Sequence, residues 1–269
     1  FSSSIGGYVR ERTVPGYDNS RIVSISDDRS GGQCCLFSRI DRPSLLMDLE
    51  LFPVRTAAEL RDFIRLPAVL PGRRANYVPP IWAEEKGWHD PNTNPALRDQ
   101  AHIRFLARVH GQLVGRIMGL VHRSYNTSHN ENAARFYQLD AIEDPEVVRA
   151  LLKRTEAWAR EQGMDRIIGP FGLSDKDPQG LQVEGFEHLP VIATPTNPAY
   201  LPPLVEAFGY AKHADCLTYR MAVPETVPER YERVAQHVLR SEGLIVKTFQ
   251  NRKALKRWIV PVLELVNNT

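Results

Sequence analysis

The sequence predicts an α/β fold over residues 47–224, and three features carry the prediction. Segments at 49–54, 103–109 and 112–122 read as strands, the first alternating at period 2. Residues 146–162 form an amphipathic helical pattern with signals at both ends. Strand and helix patterns then follow one another to about residue 221.

Leu49–Val54 opens the patterned region as a strand. Thr56 is a natural N-cap for a helix whose apolar residues are Leu60, Phe63 and Ile64. A loop rich in Pro, Trp and Asn runs from Pro67 to about Arg98, with a short helix near Trp82. Ile103–Val109 and Gln112–His122 are strands joined by the hairpin signal His110-Gly111. After a polar loop around 125–132, Phe136–Ile142 reads as another strand.

The long helix begins at Asp144, an N-cap, with Pro145 in the first helical position. Val147, Val148, Leu151, Leu152, Thr155, Trp158 and Ala159 share one face, and Gly163 ends it. Arg166–Gly169 is a short strand stopped by Pro170, and an irregular stretch extends to about Thr196. A short helix ending at Gly209 and a strand over Lys212–Met221 complete the unit.

Residues 1–46 are rich in Ser, Gly and Arg and carry no apolar period, so a flexible arm or non-native upstream sequence is expected there. At the other end, residues 244–259 align without gaps on residues 49–64: Leu49 meets Leu244, Leu60 meets Leu255 and Ile64 meets Ile259. Either a strand-then-helix coincidence or the start of a second, truncated copy of the same unit after a linker accounts for residues 225–269.

A formal net charge of +2 argues against DNA or an anionic membrane as partner. Of three cysteines, Cys34 and Cys35 are adjacent and Cys216 is distant, so no disulfide framework is legible. No apolar run approaches the roughly 20 residues of a membrane span, and no signal peptide is visible. The expected compartment is the cytoplasm. The sequence lacks G-x-S-x-G, H-E-x-x-H, G-x-x-x-x-G-K-[ST] and G-x-G-x-x-G. The eight histidines are scattered, and His213 with Asp215 supplies only two ligands, so no metal is expected. Arg252, Lys253, Lys256 and Arg257 read as a solvated helix face.

The element order, with the hairpin FLARVHGQLVGRIMGLV, the helix end AWAREQGMDRIIGPF and the closing VEAFGYAKHADCLTYRM, resembles the GNAT N-acyltransferases. YVPPIW, GPFGLSDKDPQG and the following GF are similar to a poorly characterised branch of that superfamily. The resemblance implies a mixed, mostly antiparallel twisted sheet with helices on both faces and two splayed central parallel strands, here Phe136–Ile142 and Arg166–Gly169. It implies an acyl thioester, acetyl-CoA or another acyl-CoA, in the gap and a small-molecule or peptide amine as acceptor. Tyr137, Leu139 and Ile142 would then line the cofactor's strand, Asn197 would bond the pantetheine arm, and Tyr200 would protonate the departing thiolate.

Two departures qualify the resemblance. The family's pyrophosphate loop has the form Q/R-x-x-G-x-G/A, whereas Glu143, Glu146 and Val148 fall on its key positions here, with Asp144 between them. Carboxylates repel phosphates, and no glycine opens the backbone. The usual tyrosine position is Val205, with Tyr200 the nearest substitute. The loop at 169–190 offers Asp175, Asp177, Glu184, Glu187 and His188. Glu184 is the expected base, because apolar Val183 and Phe186 flank it. Alternatives are a non-catalytic ligand- or partner-binding module and an aminoacyl-tRNA-dependent transferase.

Overall fold

The computed structural model describes residues 2–11, 48–71, 76–98, 100–174, 176–219, 221–240 and 245–268. The chain divides into two compact units, Phe1–Arg220 and Met221–Thr269. The elements of the first unit, in chain order, are β1 (Ser2–Glu11), β2 (Glu50–Pro53), α1 (Ala57–Val69), α2 (Trp82–Trp88), α3 (Pro95–Arg98), β3 (Ala101–Val109), β4 (Gln112–Val121), α4 (Arg123–His129), β5 (Ala133–Ala141), α5 (Pro145–Glu161), β6 (Arg166–Gly169), β7 (Leu181–Gln182), α6 (Leu201–Ala207) and β8 (Ala211–Tyr219). The second unit holds α7 (Glu229–Arg240) and α8 (Arg252–Asn267). Asn251 caps α8 by accepting from the Ala254 N–H at 2.9 Å. It stands where Thr56 stands in the aligned segment.

The sheet order is β2-β3-β4-β5-β6-β1-β7, with β8 also paired to β1. All pairings are antiparallel except β5 with β6, which is parallel. This is a mixed, mostly antiparallel α/β architecture with helices packed on both faces of the sheet. Neighbouring residues on a strand point to opposite faces, so each inner strand feeds two cores. Phe105, Ile117 and Phe136 join Val148, Leu151, Leu152 and Trp158 of α5 on one face. Leu106, Met118 and Tyr137, each one residue further on, join Phe63 and Leu66 of α1 on the other.

Two glycines let α5 lie close on β4. A Cβ at Gly119 would stand 2.7 Å from the Trp158 ring, and one at Gly115 would stand 2.8 Å from the Leu151 side chain. The ends of α1 and α5 follow the expected capping chemistry. Thr56 accepts from the Glu59 N–H at 3.2 Å while Glu59 accepts from the Thr56 N–H at 2.8 Å, a reciprocal box. Asp144 accepts from the Glu146 N–H at 2.8 Å with Pro145 beside it.

The N-terminal segment departs from expectation. Within the expected arm at 1–46, Ser2–Glu11 forms a strand lying between β6 and β8, with Tyr8 fully buried. Its pattern is too polar to announce a strand; two open edges supply the ladder partners that its composition does not. Residues 12–46 lie outside the described residues. The polar loop around 125–132 also carries α4, whose C-cap Asn130 is left-handed.

Candidate active site

The parallel pair β5–β6 is short. Its register runs only from Ala133–Arg166 to Arg135–Ile168. One further bond, from the Phe171 N–H to the Phe136 carbonyl at 2.8 Å, closes the joined end. Gly169 permits that approach, since a Cβ there would collide with the Phe136 carbonyl and ring. Beyond it β5 continues to Ala141 without β6.

A bulge changes which edge β5 presents. The β4–β5 register slips between Arg116 and Met118, and Gln138 takes φ 49°. In a regular strand Phe136 and Ala141 would face opposite edges; the extra residue lets both turn away from β4. The Phe136 carbonyl meets the loop after β6, and the Ala141 carbonyl accepts from the Tyr200 hydroxyl at 2.7 Å. Ile142 turns back, its N–H donating to the Val114 carbonyl at 2.9 Å.

A cleft opens at this end of β5, lined by Leu70, Pro71, Tyr77, Asp140, Asn197 and Tyr200 among others. It is narrow, about 30 Å³, which is room for a water or two rather than a substrate arm. Tyr200 is the N-cap residue of α6, followed within the first turn by Pro202 and Pro203. Burial, then the nearby Glu143 and Asp140 carboxylates, push its hydroxyl up to about 12, so it is a proton donor across the neutral range.

The other expected residues fall in different places. Tyr137 and Leu139 are buried in opposite cores, and Ile142 is partly buried. The Asn197 amide is engaged: Oδ1 accepts from the Gln182 N–H at 2.6 Å, and Nδ2 donates to the Gln182 and Pro198 carbonyls at 3.1 and 3.0 Å. It acts as a side-chain extension of β7. Glu184 is exposed and does not line the cleft, because Val183 and Phe186 do not cover it. Asp175 lies outside the described residues. Asp177 is structural: it accepts from the Leu173 and Ser174 N–H groups at 2.8 and 2.9 Å and from the Trp88 indole at 2.9 Å. Asn76 binds the same loop, donating to the carbonyls of Phe186 and His188. The stretch at 169–190 is therefore tied down at several points.

At the start of α5 the Asp144 carboxylate holds the Glu146 N–H, with Glu143 preceding it and Glu146 following. A diphosphate does not suit that acidic, capped helix end. The nucleotide of an acyl-CoA thus has no cradle there.

A buried polar group on the α1–α2 face was not foreseen. Arg116 Nε donates to Asp140 at 2.8 Å and its Nη1 to the Phe63 carbonyl at 2.7 Å. Arg104 Nε donates to His89 Nδ1 at 2.8 Å, and the Gln138 amide donates to Glu85 at 2.6 Å. Burial, with the Arg104 charge, lowers His89 to about 4. Burial raises Glu85, but His89, Arg116 and Gln138 outweigh it and leave the carboxyl below its ordinary value. The one sequence signal was the Glu85–His89 spacing of four at the end of a short helix, with His89 its C-cap.

No family model matches the chain. It is 34% identical over 202 residues to a bacterial ceramide synthase of Caulobacter vibrioides, covering 74% of this chain and 52% of that protein. It is 32% identical over 163 residues to protein YghO of Escherichia coli, covering 61% of this chain and 42% of that one. The chain thus spans about half the length of these curated relatives. Among solved structures, a tandem GNAT protein from the clavulanic acid biosynthesis pathway aligns at a TM-score of 0.31 and 24% identity, over 43% of this chain and 34% of that one. No described helix is long and apolar enough to cross a membrane.

Proposed function

We propose that the first unit is an N-acyltransferase that passes an acyl group from a thioester to an amine. What supports this reading is that β5 runs on past the end of β6, with the Tyr200 hydroxyl bonded to the Ala141 carbonyl at its unpaired end. An acyl thioester entering there would take over the Ala141 carbonyl as an acceptor for an amide N–H of its arm. Tyr200, released from Ala141, would give its proton to the departing sulfur. The attack builds negative charge on the thioester oxygen, and the edge of β5 beyond the bulge is where backbone donors could meet it. The thioester and its pantetheine arm would be gripped in this scheme, not the nucleotide, because the start of α5 is acidic.

The relative's name adds a substrate class. A ceramide is a long-chain amino alcohol carrying a fatty acyl group on nitrogen, so a ceramide synthase forms an amide. We propose the same bond for this chain, with a fatty acyl thioester and a long-chain amino alcohol as its substrates, and with the cytoplasm as its place of work. The test incubates the full chain with palmitoyl-CoA and sphinganine and measures free thiol and N-acyl product together. Equal amounts of both support the reading, and neither thiol nor amide contradicts it.

The narrowness of the cleft favours a second reading, in which the unit binds a ligand or protein partner and catalyses nothing. Saturable binding of a palmitoyl thioester without thiol release would select it.

A further inference from the structure

The large apolar side chains that the first unit leaves exposed are not scattered. Among the described residues they are Val69, Val78, Ile81, Leu189, Val191 and Ile192, apart from Leu217 and Tyr219 on β8. Three segments hold the six, and all three border the Tyr200 cleft. Val69 ends α1, and the next two residues, Leu70 and Pro71, line the cleft. Val78 follows Tyr77, which lines it too, and Ile81 precedes α2 as its N-cap. Leu189, Val191 and Ile192 lie in the turn that leads to Thr196, Asn197 and Pro198, which also line it. Asn76 fastens the start of that turn to the second segment by donating to the carbonyls of Phe186 and His188.

The composition of this border suits an apolar surrounding. Charged residues make up 25% of the chain, yet residues 66–71, 76–82 and 189–205 contain no Asp, Glu, Lys or Arg. Arg73 and Arg74, between the first two stretches, lie outside the described residues. All three stretches are rich in proline, with Pro67, Pro71, Pro79, Pro80, Pro190 and Pro195 among them. A proline carries no N–H that must find a partner away from water. The turn at Ile192, whose side chain is 92% exposed, also satisfies its own backbone. The Val191 carbonyl accepts from the Thr194 N–H at 3.2 Å and from the Thr194 hydroxyl at 2.5 Å. Clustered apolar surface of this kind marks a contact site. A protein partner is met through a polar rim and about one hydrogen bond per 100–200 Å², which segments without charge and poor in N–H donors supply badly. A bilayer asks for neither.

We propose that this border of the cleft dips into the surface of a lipid bilayer, from which the cleft takes its long-chain substrates. The inference rests on the fatty acyl and amino alcohol reading above, since both substrates partition into membranes. The contact is apolar, so it makes no call on the net charge of +2, which offers anionic lipid little attraction. It is a contact with the surface, and no described helix is long and apolar enough to cross.

The test floats the full chain with vesicles of neutral phosphatidylcholine at low and at high salt. Wild type should bind, and salt should not weaken the binding. Ile192→Asp and Val78→Asp, on separate segments, should each lower the partition coefficient by about tenfold or more, and the pair by about 100-fold. Both positions are exposed, so melting should match wild type. Ile192→Trp should lose fluorescence in vesicles of brominated phosphatidylcholine, a readout that does not depend on the Asp variants folding. A wild-type chain that ignores the vesicles would overturn the proposal. So would binding that needs anionic lipid and vanishes in high salt, which would point to the basic start of α8. Self-association that the Asp variants abolish, without vesicle binding, would make the surface a contact between copies and overturn it as well. None of these readouts needs turnover. A chain that binds vesicles as expected yet releases no thiol from palmitoyl-CoA with sphinganine would overturn the acyl-transfer reading and leave the surface standing.

Discussion

The Tyr200 hydroxyl donates a 2.7 Å hydrogen bond to the Ala141 carbonyl, joining the start of α6 to the last residue of β5, which runs past the end of β6. Among the described residues no strand pairs with that edge of β5 there, so the phenol and the carbonyl satisfy each other until a ligand replaces one of them.

Tyr200→Phe should keep the fold and lose the donor. We expect a stability loss of about 1 kcal/mol, one hydrogen bond at a wettable carbonyl, measured by urea unfolding. Thiol release should fall about 100-fold, the low end for a general acid, because a thiolate leaves readily. With the phenol raised to about 12 by burial and then by Glu143 and Asp140, no basic limb from Tyr200 should appear below pH 10.

His89 should give the protein an acid-sensitive step. Its folded value is lowered to about 4 from 6.5, so between those values the unfolded chain binds a proton that the folded one does not. Stability should therefore fall as pH drops from 6.5 toward 4, by up to about 3 kcal/mol. Urea titrations at stepped pH, wild type against His89→Gln, isolate that slope.

Donor recognition should be indifferent to the nucleotide. If the acidic start of α5 offers a diphosphate nothing, palmitoyl-pantetheine and palmitoyl-CoA should have kcat/KM values within about tenfold of each other, or roughly 1.4 kcal/mol. A preference for the CoA ester of 100-fold or more would require a diphosphate site elsewhere.

Gly119→Ala should be destabilising by about 1–3 kcal/mol, since its Cβ would stand 2.7 Å from the Trp158 ring and α5 would have to lift from β4. Calorimetric melting of the variant measures this. Gly111→Ala, at a turn where a Cβ meets nothing within 4 Å, separates overpacking from the loss of a glycine's φ of 79°.

Much of this arrangement was legible in the chain, and the reasons differ by element. The helix at 145–161 declared itself through Asp144, Pro145 and one continuous apolar face, all local signals. The hairpin of β3 and β4 did so through His110-Gly111, both with positive φ. The short β6 was bounded by Pro170. What stayed hidden depends on partners distant in sequence. The strand at Ser2–Glu11 takes its form from the edges of β6 and β8. Asn197 looked available until Gln182 occupied its amide, and Glu184 looked covered until its neighbours turned elsewhere. The Arg116–Asp140 pair follows from the β4–β5 register, which a bulge fixes. Glu85 and Gln138 are 53 positions apart, and only the fold brings them together.

A crystal structure with a non-hydrolysable palmitoyl-pantetheine thioether tests the central claim most directly. We expect the sulfur between Tyr200 and the free end of β5, with the 2.7 Å bond from Tyr200 to Ala141 broken and the cleft widened. A saturated complex with that bond intact and the ligand bound elsewhere would contradict the account.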